Sequence, residues 1–591
     1  MNIFEIIREQ IQSVIREHFG TPNSFKDLDL TRVSAELPRD PKHGDIATNA
    51  AMLLSKALDR KPHEIASDLL KPLTALPNVE QATIAGPGFI NLKIKSDVWY
   101  DSLSHILKVG TSFGVVNMGD GIPVNIEYVS ANPTGPMHVG HARGAVFGDV
   151  LARLLKKVGY EVTKEYYVND AGAQIDALVQ ALQFRYFEAL GIKTQDQFDQ
   201  AVAAGEIEYA GTYLKEVARA LVKRDGDRWA NTDDSAWSSE LRSFVIDQMM
   251  SMIKGDLESL GVYHDVFTSE LRLQESGKIE EAVDFLSSED LVYTGTLPPP
   301  RGKTLDGWES RPLLLFRAEK FGDDSDRPLK KADGSWTYFA GDIAYHKDKV
   351  DRGFAELINI WGADHVGDVK RVRAATAALT DGKGQLDVKL CQMVKVLDNG
   401  KPVRMSKRAG TFVTLRDLIE AVGKDVVRFI MLTRKNDAQL DFDYSKVTEK
   451  SRENSVFYVQ YAYARVCSVM RQANEVLPNT NLTDEALAEA NLLLLTDRDE
   501  LELIKNLAAW PRAIEAAAGA HEPHRIAFYL YDLAGRFHAL WNRGNDSTDL
   551  RFLQPRNVSL TLARLALVRG VAVVIASGLE VFGVEPLQEM R

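Results

Sequence analysis

A short turn between an apolar segment and a long helical pattern carries two histidines that could bind phosphate. The turn reads SANPTGPMHVGH from Ser130 to His141. Gly135 and Gly140 let the backbone approach a ligand closely. His138 and His141 stand three positions apart at the start of the helix, so both project toward one ligand. A helix N-terminus with imidazole donors suits a polyphosphate, although the same histidines could be ordinary polar residues of a helix cap.

The elements around this turn predict a strand, a helix and a second strand. Val124 to Val129 is short, apolar and β-branched, which is typical of a buried strand. From Ala142 the apolar residues recur every three or four positions until Gly159, which ends the helix. Tyr160 to Val168 then reads as a strand. The turn therefore lies at the carboxyl end of the first strand of a βαβ unit, where open parallel sheets bind nucleotides.

A second stretch, far along the chain, adds positive charge. It reads VRMSKRAGT from Val403 to Thr411. Together the two stretches resemble the paired signatures of class I aminoacyl-tRNA synthetases, HIGH and KMSK in one-letter code. Glu127 to Pro136 and Tyr166 to Gly172 look like the corresponding segments of bacterial arginyl-tRNA synthetases, and the resemblance extends over nearly the whole chain. Arg404 stands where the second signature has lysine, so the charge is kept.

The resemblance implies a multidomain α/β fold. It consists of a Rossmann-like class I synthetase catalytic domain with an insertion, a small α+β N-terminal domain and an all-α C-terminal anticodon-binding domain. We expect the N-terminal additional tRNA-binding domain at residues 1–112, the catalytic domain at 113–445 and the helical domain at 446–591. The helix-rich insertion is expected at about 171–330. By resemblance, the N-terminal domain contacts the outer corner of the tRNA.

Composition agrees with a large protein of the cytoplasm. A chain of 591 residues needs three or four domains. Its 45% hydrophobic and 26% charged residues are typical of globular proteins. Cys391 and Cys467 are far apart and lack partners at ligand spacing, which argues against disulfides and structural zinc. We expect no membrane segment and a monomer. With a net charge of −12, a tRNA partner would have to meet locally basic surfaces.

By resemblance, the reaction is arginine activation by ATP followed by transfer to tRNA(Arg). The arginine carboxylate attacks the α-phosphate, pyrophosphate leaves, and the terminal 2′ hydroxyl of the tRNA then takes the arginine. Positioning and charge neutralisation catalyse such transfer. His138 and His141 would hold the triphosphate, and Lys407 with Arg404 would neutralise the leaving pyrophosphate. Mg²⁺ would arrive with ATP, because no dedicated ligand cluster is visible. The expected ATP-binding residues are Gly135, Pro136, His138, Gly140, His141, Gly362, Asp364, His365, Met405, Ser406 and Lys407.

The amino-acid pocket should contain a buried carboxylate, because a guanidinium is always charged and pairs bidentately with one. Glu127 and Asp342 lie near predicted strand ends. By resemblance, Asp342 takes the guanidinium and Tyr338 packs against the side chain. Asn132 and Glu127 would fix the amino-acid backbone. From the residues alone, Asp342 could instead be a helix cap. The expected arginine-binding residues are Glu127, Ser130, Asn132, His141, Tyr338, Asp342 and Asp364.

Another strand end supplies a further carboxylate. Leu357 to Trp361 reads as a buried strand that ends in Gly362, Ala363, Asp364 and His365. A carboxylate at that position suits ribose hydroxyls or the substrate amine. Arginyl-tRNA synthetases frequently have a second histidine where this chain has valine.

The C-terminal region reads as almost wholly helical. Aromatic residues alternate with arginines along its helices, and such residues can stack on unpaired bases. For most individual positions a helix core explains the pattern equally well. The tRNA-binding residues proposed from this pattern are Tyr461, Arg465, Arg525, Arg536, Trp541 and Met590.

Three other functions compete with this interpretation. A class I synthetase for cysteine would share both signatures, but it usually shows zinc ligands, and none cluster here. A small-molecule nucleotidylyltransferase would share the histidine turn but has no use for a helical C-terminal module. A non-enzymatic tRNA-binding paralogue would be expected to lose His138, His141 or Lys407, and all three are present.

Overall fold

The structure is a computed structural model that describes residues 2–20, 29–38, 40–232, 234–297, 311–382, 384–403, 413–449, 451 and 453–590. Its N-terminal part contains α1 (Ile3–Phe19), β1 (Ile46–Thr48), α2 (Ala50–Leu58), α3 (Pro62–Thr74), β2 (Val79–Ala85), β3 (Phe89–Ile94) and α4 (Ser96–Val109). The strands form an antiparallel sheet in the order β1-β3-β2. Ile7, Ile11 and Ile15 line the buried side of α1, as their spacing predicts.

The central region carries most of the strands. Its first elements are β4 (Pro123–Tyr128), α5 (Val139–Lys157), β5 (Glu161–Val168), α6 (Ala173–Ala189), α7 (Gln195–Ala203), α8 (Tyr213–Asp225), α9 (Asp234–Ser259), β6 (Val266–Ser269), α10 (Glu270–Glu275) and α11 (Lys278–Ser288). They are followed by β7 (Val292–Gly295), β8 (Leu313–Phe316), β9 (Arg327–Pro328), α12 (Tyr338–Asp351), β10 (Glu356–Gly362), α13 (Val369–Leu379) and β11 (Gln385–Cys391).

A five-stranded parallel sheet forms the centre of this region, in the order β11-β10-β4-β5-β6. The predicted strand, helix and strand around the histidine turn are confirmed as β4, α5 and β5. Helix α5 packs closely on β4, because a Cβ atom at Gly148 would lie 2.2 Å from Cγ of Tyr128. Every strand of this sheet points its carboxyl end toward the same edge, where the turn lies.

Helices α6 to α9 lie between β5 and β6 along the chain and have an apolar core of their own, which includes Tyr186, Trp229 and Trp237. The insertion predicted at about 171–330 begins where these helices begin. However, β6 falls inside that range and pairs with β5 in the central sheet. A four-residue edge strand is too short to be recognised by periodicity.

The region then ends in β12 (Val394–Asp398), β13 (Lys401–Pro402), α14 (Leu415–Val422), α15 (Lys424–Ile430), β14 (Leu440–Asp443) and α16 (Tyr444–Val447). Thr414 followed three residues later by Asp417 is the sequence pattern of a capping box, and the structure confirms this cap at the start of α14. Beyond it the structure is helical, with α17 (Ser455–Val476), α18 (Asp484–Ala488), α19 (Arg498–Ala508), α20 (Trp510–Ala520), α21 (His524–Asp546) and α22 (Val558–Phe582). Within the described residues, α22 alone is long and apolar enough to cross a membrane, and 83% of its apolar window is buried inside the protein.

The helical part shares one core with the N-terminal part and with α5 of the central region. Arg428, on α15, is fully buried and donates hydrogen bonds to the carbonyl oxygens of Phe582 at 2.5 Å and Leu260 at 3.0 Å. Its guanidinium also lies 2.6 Å from Oδ2 of Asp149, on α5. The end of α22 is therefore held against the helix that begins with the two histidines.

Candidate active site

The site lies at the topological switch point of the sheet, between β4 and β10, where the strand order reverses. Strands β4 and β10 are neighbours, and α5 leads from β4 to β5 on one side while α13 leads from β10 to β11 on the other. Ligands of open α/β sheets bind in the crevice outside the carboxyl ends of the strands at such a switch point. The loops after β4 and β10, both predicted to bind substrate, meet at this crevice.

The backbone that leaves β4 is strained. Val129 has φ of 71° and Ser130 has φ of 40°, a conformation that is unfavourable for residues with a Cβ and most of all for a β-branched one. Side chains hold this turn in place: Ser130 Oγ donates to Oε1 of Glu127 at 3.2 Å and accepts the N–H of Tyr167 at 3.1 Å. Tyr166 donates its hydroxyl to the carbonyl oxygen of Ala131 at 2.7 Å.

The two histidines form the cap of α5. The N–H of Gly140 donates to Nδ1 of His138 at 3.0 Å, and the N–H of His138 donates to Nδ1 of His141 at 3.3 Å. The two rings stack with centroids 3.8 Å apart. Because each Nδ1 accepts a backbone N–H, the proton of each neutral ring lies on Nε2. A Cβ at residue 140 would lie 2.8 Å from Cε1 of His138, so glycine is needed there. The cap and a phosphate-binding role are thus compatible.

The chain that follows the second signature returns beside this cap. Arg404, Met405, Ser406 and Lys407 lie outside the described residues. At the next described residues, the N–H of Val139 donates to the carbonyl oxygen of Val413 at 3.2 Å, and the N–H of Leu415 donates to that of Met137 at 2.9 Å. The flank of the second signature therefore pairs with the first.

The other predicted ATP-binding residues are spread along the crevice. Gly135 is buried, and a Cβ there would lie 2.9 Å from Cζ of Tyr213, so this position also needs glycine. Pro136 follows it in the turn. Beyond β10, a Cβ at Gly362 would lie 2.3 Å from Oδ1 of Asp364. Asp364 and His365 are exposed, and Asp364 Oδ2 lies 3.6 Å from Nε2 of His365.

Carboxylates gather beside the histidine turn. Asp342 is partly buried on α12, and burial raises the pKa of this carboxyl to about 7. The charge of Arg371 opposes the rise, and Glu127 and Glu270 add to it. Among the described residues, none donates a hydrogen bond to the Asp342 side chain. The N-cap of α12 is Thr337, so Asp342 is not the helix cap that was the alternative. Tyr338 precedes Asp342 by one turn and is 71% exposed.

Sequence reasoning missed two members of this pocket. Glu270, at the start of α10, is buried, and burial together with Asp170 raises the pKa of its carboxyl. Tyr167 hydrogen-bonds to Glu270, and nearby carboxylates together with burial raise the pKa of this phenol. Glu270 follows a short edge strand and stands in no recognisable motif. A carboxylate directly after β6 was the available signal, once β6 is known to be a strand.

Glu127 differs from Asp342 because it forms an ion pair with a lysine of the protein. Its Oε2 lies 2.7 Å from Nζ of Lys349, which is fully buried on α12. Lys349 also donates to Oδ1 of Asn359 at 3.2 Å, and the Asn359 amide lies 2.9 Å from Nε2 of His346. Burial lowers the pKa of His346 to about 3, so the ring is neutral. Lys349 was also missed, because its charge gives no sign of burial in the sequence.

Asn132 stands at the open side of the pocket. Its amide donates to Oε1 of Gln174 at 2.8 Å, and its Oδ1 accepts from Asn169 at 3.1 Å. Glu127 near the end of β4, Ser130 and Asn132 in the loop after it, and His141 in the first turn of α5 thus come from one continuous segment. Within the described residues, no group of three or more His, Cys, Asp or Glu side chains is placed to hold a metal ion.

Three of the predicted tRNA-binding residues lie together. Arg465 Cζ is 4.2 Å from the ring centroid of Tyr461 and 4.9 Å from that of Trp541. Arg465 also donates to the hydroxyl of Tyr461 at 3.0 Å. Met590 belongs to the tail after α22, which is fixed to α17 by a 2.9 Å hydrogen bond from the N–H of Leu587 to Oε1 of Gln460.

The structure does not bring Arg525 and Arg536 to this aromatic group. Arg525 pairs with Glu522 at 2.6 Å. Arg536 borders a cavity of about 200 Å³ between the N-terminal part and α19, together with Trp99 and Lys505. The two arginines lie eleven positions apart on α21, which places them on one face of that helix.

Comparison with known proteins identifies three parts of the chain and its full-length relatives. Three family profiles match: "Arginyl tRNA synthetase N terminal domain" over residues 5–94, "tRNA synthetases class I (R), catalytic domain" over 103–294 and "DALR anticodon binding domain" over 459–590. The arginine–tRNA ligase of Rhodospirillum rubrum is 56% identical over 592 residues, covering 100% of both chains. That of Parvibaculum lavamentivorans is 52% identical over 593 residues, again covering 100% of both.

A solved structure shows the same fold. Thermus thermophilus arginyl-tRNA synthetase superimposes with a TM-score of 0.73 over 99% of this chain and 100% of that chain, at 21% identity. The predicted multidomain class I α/β architecture is therefore confirmed. Two curated arginine–tRNA ligases are more than 50% identical to this chain over its full length. The three profiles also match in the order N-terminal, catalytic and anticodon-binding domain. This chain belongs to the arginyl-tRNA synthetase family.

Proposed function

We propose that this chain is an arginine–tRNA ligase: it forms arginyl-adenylate and pyrophosphate from L-arginine and ATP, and then transfers arginine to the 3′-terminal adenosine of tRNA(Arg). The carboxylate of Asp342 carries the proposal. It lies close enough to Glu127 and Glu270 for their charges to act on it, has no hydrogen-bond donor among the described residues, and has a pKa raised to about 7, chiefly by burial. A guanidinium supplies the charge and the fork of donors that this carboxylate lacks.

The arginine would lie across the crevice with its two ends in different surroundings. Its guanidinium would pair with Asp342, close to Glu270, and Tyr338 would cover the side chain from the open side. Asn132, Ser130, Glu127 and Asp364 would hold the amino-acid backbone. His141 would lie between the two substrates, because it stands in the first turn of α5, directly after the loop that carries Ser130 and Asn132.

ATP would bind at the start of α5. The helix N-terminus and the Nε2 donors of His138 and His141 face the triphosphate, and Gly135, Pro136 and Gly140 let it approach the backbone. Gly362, Asp364 and His365 would contact the nucleoside. Met405, Ser406, Lys407 and Arg404 keep the role that the second signature implies, which is to neutralise the leaving pyrophosphate. Mg²⁺ would arrive with ATP and add positive charge to its phosphates.

We further propose the domain division 1–112, 113–445 and 446–591, with the N-terminal and C-terminal parts binding tRNA. The cluster of Tyr461, Arg465 and Trp541, with Met590, would stack on unpaired bases. Arg525 and Arg536 would face a different part of the tRNA. We also propose that the protein acts as a monomer in the cytoplasm, where its tRNA is charged.

Pyrophosphate exchange tests this function. Purified protein would be assayed with each amino acid in turn, with and without tRNA(Arg). We expect exchange with arginine alone and, as the family resemblance implies, only when tRNA is present. Exchange supported by another amino acid, or none with arginine and tRNA together, would overturn the proposal. Exchange with arginine in the absence of tRNA would leave the ligase function and remove only the tRNA requirement.

The same experiment separates the competing functions. A cysteine enzyme would exchange with cysteine, a small-molecule nucleotidylyltransferase would ignore all amino acids, and a non-enzymatic paralogue would bind tRNA without exchange. Reactions without amino acid are the control for background hydrolysis of ATP.

A further inference from the structure

One buried carboxylate touches the flanks of both signature stretches. Asp256 lies in the last turns of α9, on the inserted helices, and is 4% exposed. Its Oδ2 accepts the N–H of Met137 at 3.0 Å. Its Oδ1 accepts from Nε and Nη2 of Arg416 at 3.3 and 3.2 Å.

Both partners of Asp256 stand next to the ATP-binding residues proposed above. Met137 directly precedes the N-cap residue His138. Arg416 lies in the first turn of α14, three residues after the chain returns at Val413. The two backbone segments are also paired directly, through the hydrogen bond from Leu415 to Met137. Asp256 therefore fixes how the start of α5 is oriented against the segment that follows the second signature.

The charges explain why an ion pair stands here. A buried carboxylate close to a helix N-terminus that binds phosphate would repel the triphosphate, and the effect would be strong in this dry environment. Arg416 offsets that charge. Its own side chain is 56% exposed, so it contributes little to the core and can be replaced without opening a cavity. Loss of Arg416 would leave the Asp256 charge uncompensated, as far as the described residues show.

We propose that Asp256, with Arg416, is a positioning residue for ATP. This inference rests on the proposed function. The pair acts through the Met137 amide and the cap of α5: it holds His138 and His141 at the place where they meet the triphosphate. It does not touch the arginine pocket, which is built by α10, α12 and the loop after β4.

Kinetics of Asp256→Asn, Arg416→Gln and the double variant test this role, by pyrophosphate exchange with arginine and tRNA present. We expect Arg416→Gln to raise the KM for ATP by about 10- to 100-fold, as for loss of a hydrogen bond to a charged group. Asp256→Asn should raise it over the same range, because the loss of the charged acceptor for the Met137 N–H outweighs the relief of repulsion toward the triphosphate. The KM for arginine should stay within about twofold. In the double variant the effects should be less than multiplicative, because both changes remove one interaction.

A matched control and a conservative variant distinguish positioning from folding. Asp484→Asn removes a carboxylate that pairs with Arg569 at 2.6 Å in the helical part, and it should leave the KM for ATP unchanged. Arg416→Lys keeps the charge but loses the fork, so it should recover part of the loss caused by Arg416→Gln.

Several outcomes would overturn the inference. These are an unchanged KM for ATP in Arg416→Gln, an equal rise in both KM values, and fully multiplicative effects in the double variant. If Asp256→Asn does not fold, Arg416→Gln alone decides, because its side chain is half exposed. Failure of the proposed function would look different: the unaltered protein would then show no arginine-dependent exchange.

Discussion

Lys349 Nζ lies 2.7 Å from Oε2 of Glu127, and both residues are buried. The negative charge of Glu127 is therefore neutralised by the protein itself. Asp342, on the same helix as Lys349, makes no ion pair among the described residues, although the charge of Arg371 acts on it. The two carboxylates, which both lie near predicted strand ends in the sequence, thus have different surroundings. Glu127 already pairs with a lysine of the protein, whereas Asp342 is available to the guanidinium of the substrate.

Replacement of Lys349 by methionine should destabilise the protein without changing which amino acid it uses. Removing one partner of a buried ion pair leaves an uncompensated charge and costs roughly 3–5 kcal/mol. We expect a lower midpoint in urea unfolding followed by fluorescence. The double variant Lys349→Met with Glu127→Gln should recover much of the loss, since it removes the orphaned charge. A midpoint unchanged by Lys349→Met would show that the pair is not formed.

Asp342→Asn should lower the use of arginine because it keeps the shape of the side chain and removes its charge. We expect a loss of roughly 2–5 kcal/mol in transition-state stabilisation, as for truncating a buried charge pair. Discrimination against neutral citrulline should shrink in parallel. Aminoacylation and exchange with both amino acids measure this. Asp351→Asn is the matched control, because Asp351 lies at the other end of α12, is 57% exposed and pairs with Lys347. Wild-type kinetics with citrulline still rejected would place the specificity carboxylate elsewhere.

Arginine use should also depend on pH through Asp342. The pKa of this carboxyl is raised from 3.8 to about 7. The Asp342 side chain is therefore partly protonated at neutral pH when no substrate is bound, and it must lose that proton to bind a cation. The KM for arginine should fall as pH rises from 6 to 8. Below the pKa it should change by up to about tenfold per pH unit. The KM for ATP, measured in the same series, serves as the control.

The same titration has a defined sign for stability. A carboxyl whose pKa is higher in the folded than in the unfolded chain binds more protons when folded between pH 3.8 and about 7. The contribution of Asp342 to the free energy of unfolding is therefore most favourable below pH 3.8. It is lost as pH rises through about 7. Asp342→Asn should remove both this dependence and the fall in arginine KM. A KM for arginine that is flat from pH 6 to 8 in the unaltered protein would contradict the raised pKa.

Local patterns predicted the parts of the site that are contiguous in sequence. The strand, turn and helix around His138 follow from apolar periodicity and a Gly/Pro cluster, and the Thr414 cap follows from the spacing to Asp417. The strained turn at Val129 and Ser130 was not predicted by these patterns. Valine favours extended backbone, so Val129 extended the predicted strand by one residue, whereas the structure ends β4 at Tyr128 and turns Val129 to positive φ.

Residues brought in by tertiary structure were not predictable. Glu270, Lys349 and Asp256 come from three different helices, and each reads as an ordinary charge on an amphipathic pattern. Their burial depends on the placement of the inserted helices and of α12 against the sheet. A single sequence does not record such contacts, because they depend on pairings more than a hundred positions apart.

Lys407→Ala should slow adenylate formation while arginine still binds. A cation that meets the leaving pyrophosphate matters mainly as charge develops, so kcat should fall by about 100- to 1,000-fold, as for the loss of one electrostatic donor. The KM for arginine should change little. Lys401→Ala is a control of the same type, because Lys401 is exposed in β13, six residues earlier. Near-normal turnover by Lys407→Ala would remove Lys407 from the mechanism.

The aromatic cluster on α17 and α21 should contribute to tRNA binding but not to arginine binding. Deleting the C-terminal helices is a poor test, because Arg428 and α22 share the core with α5 and a shortened chain would expose it.

Trp541→Ala and Arg465→Gln keep the helices and remove stacking surfaces. Each should raise the KM for tRNA by about 5- to 150-fold, the range for loss of one base stack, with the KM for arginine at saturating tRNA unchanged. Arg228→Gln is the control, since Arg228 is exposed, pairs with Glu240 at 3.2 Å and lies outside both parts proposed to bind tRNA. If both cluster variants charge tRNA with the KM of the control, the bases are read elsewhere, and Arg525 and Arg536 on the other face of α21 become the next positions to replace.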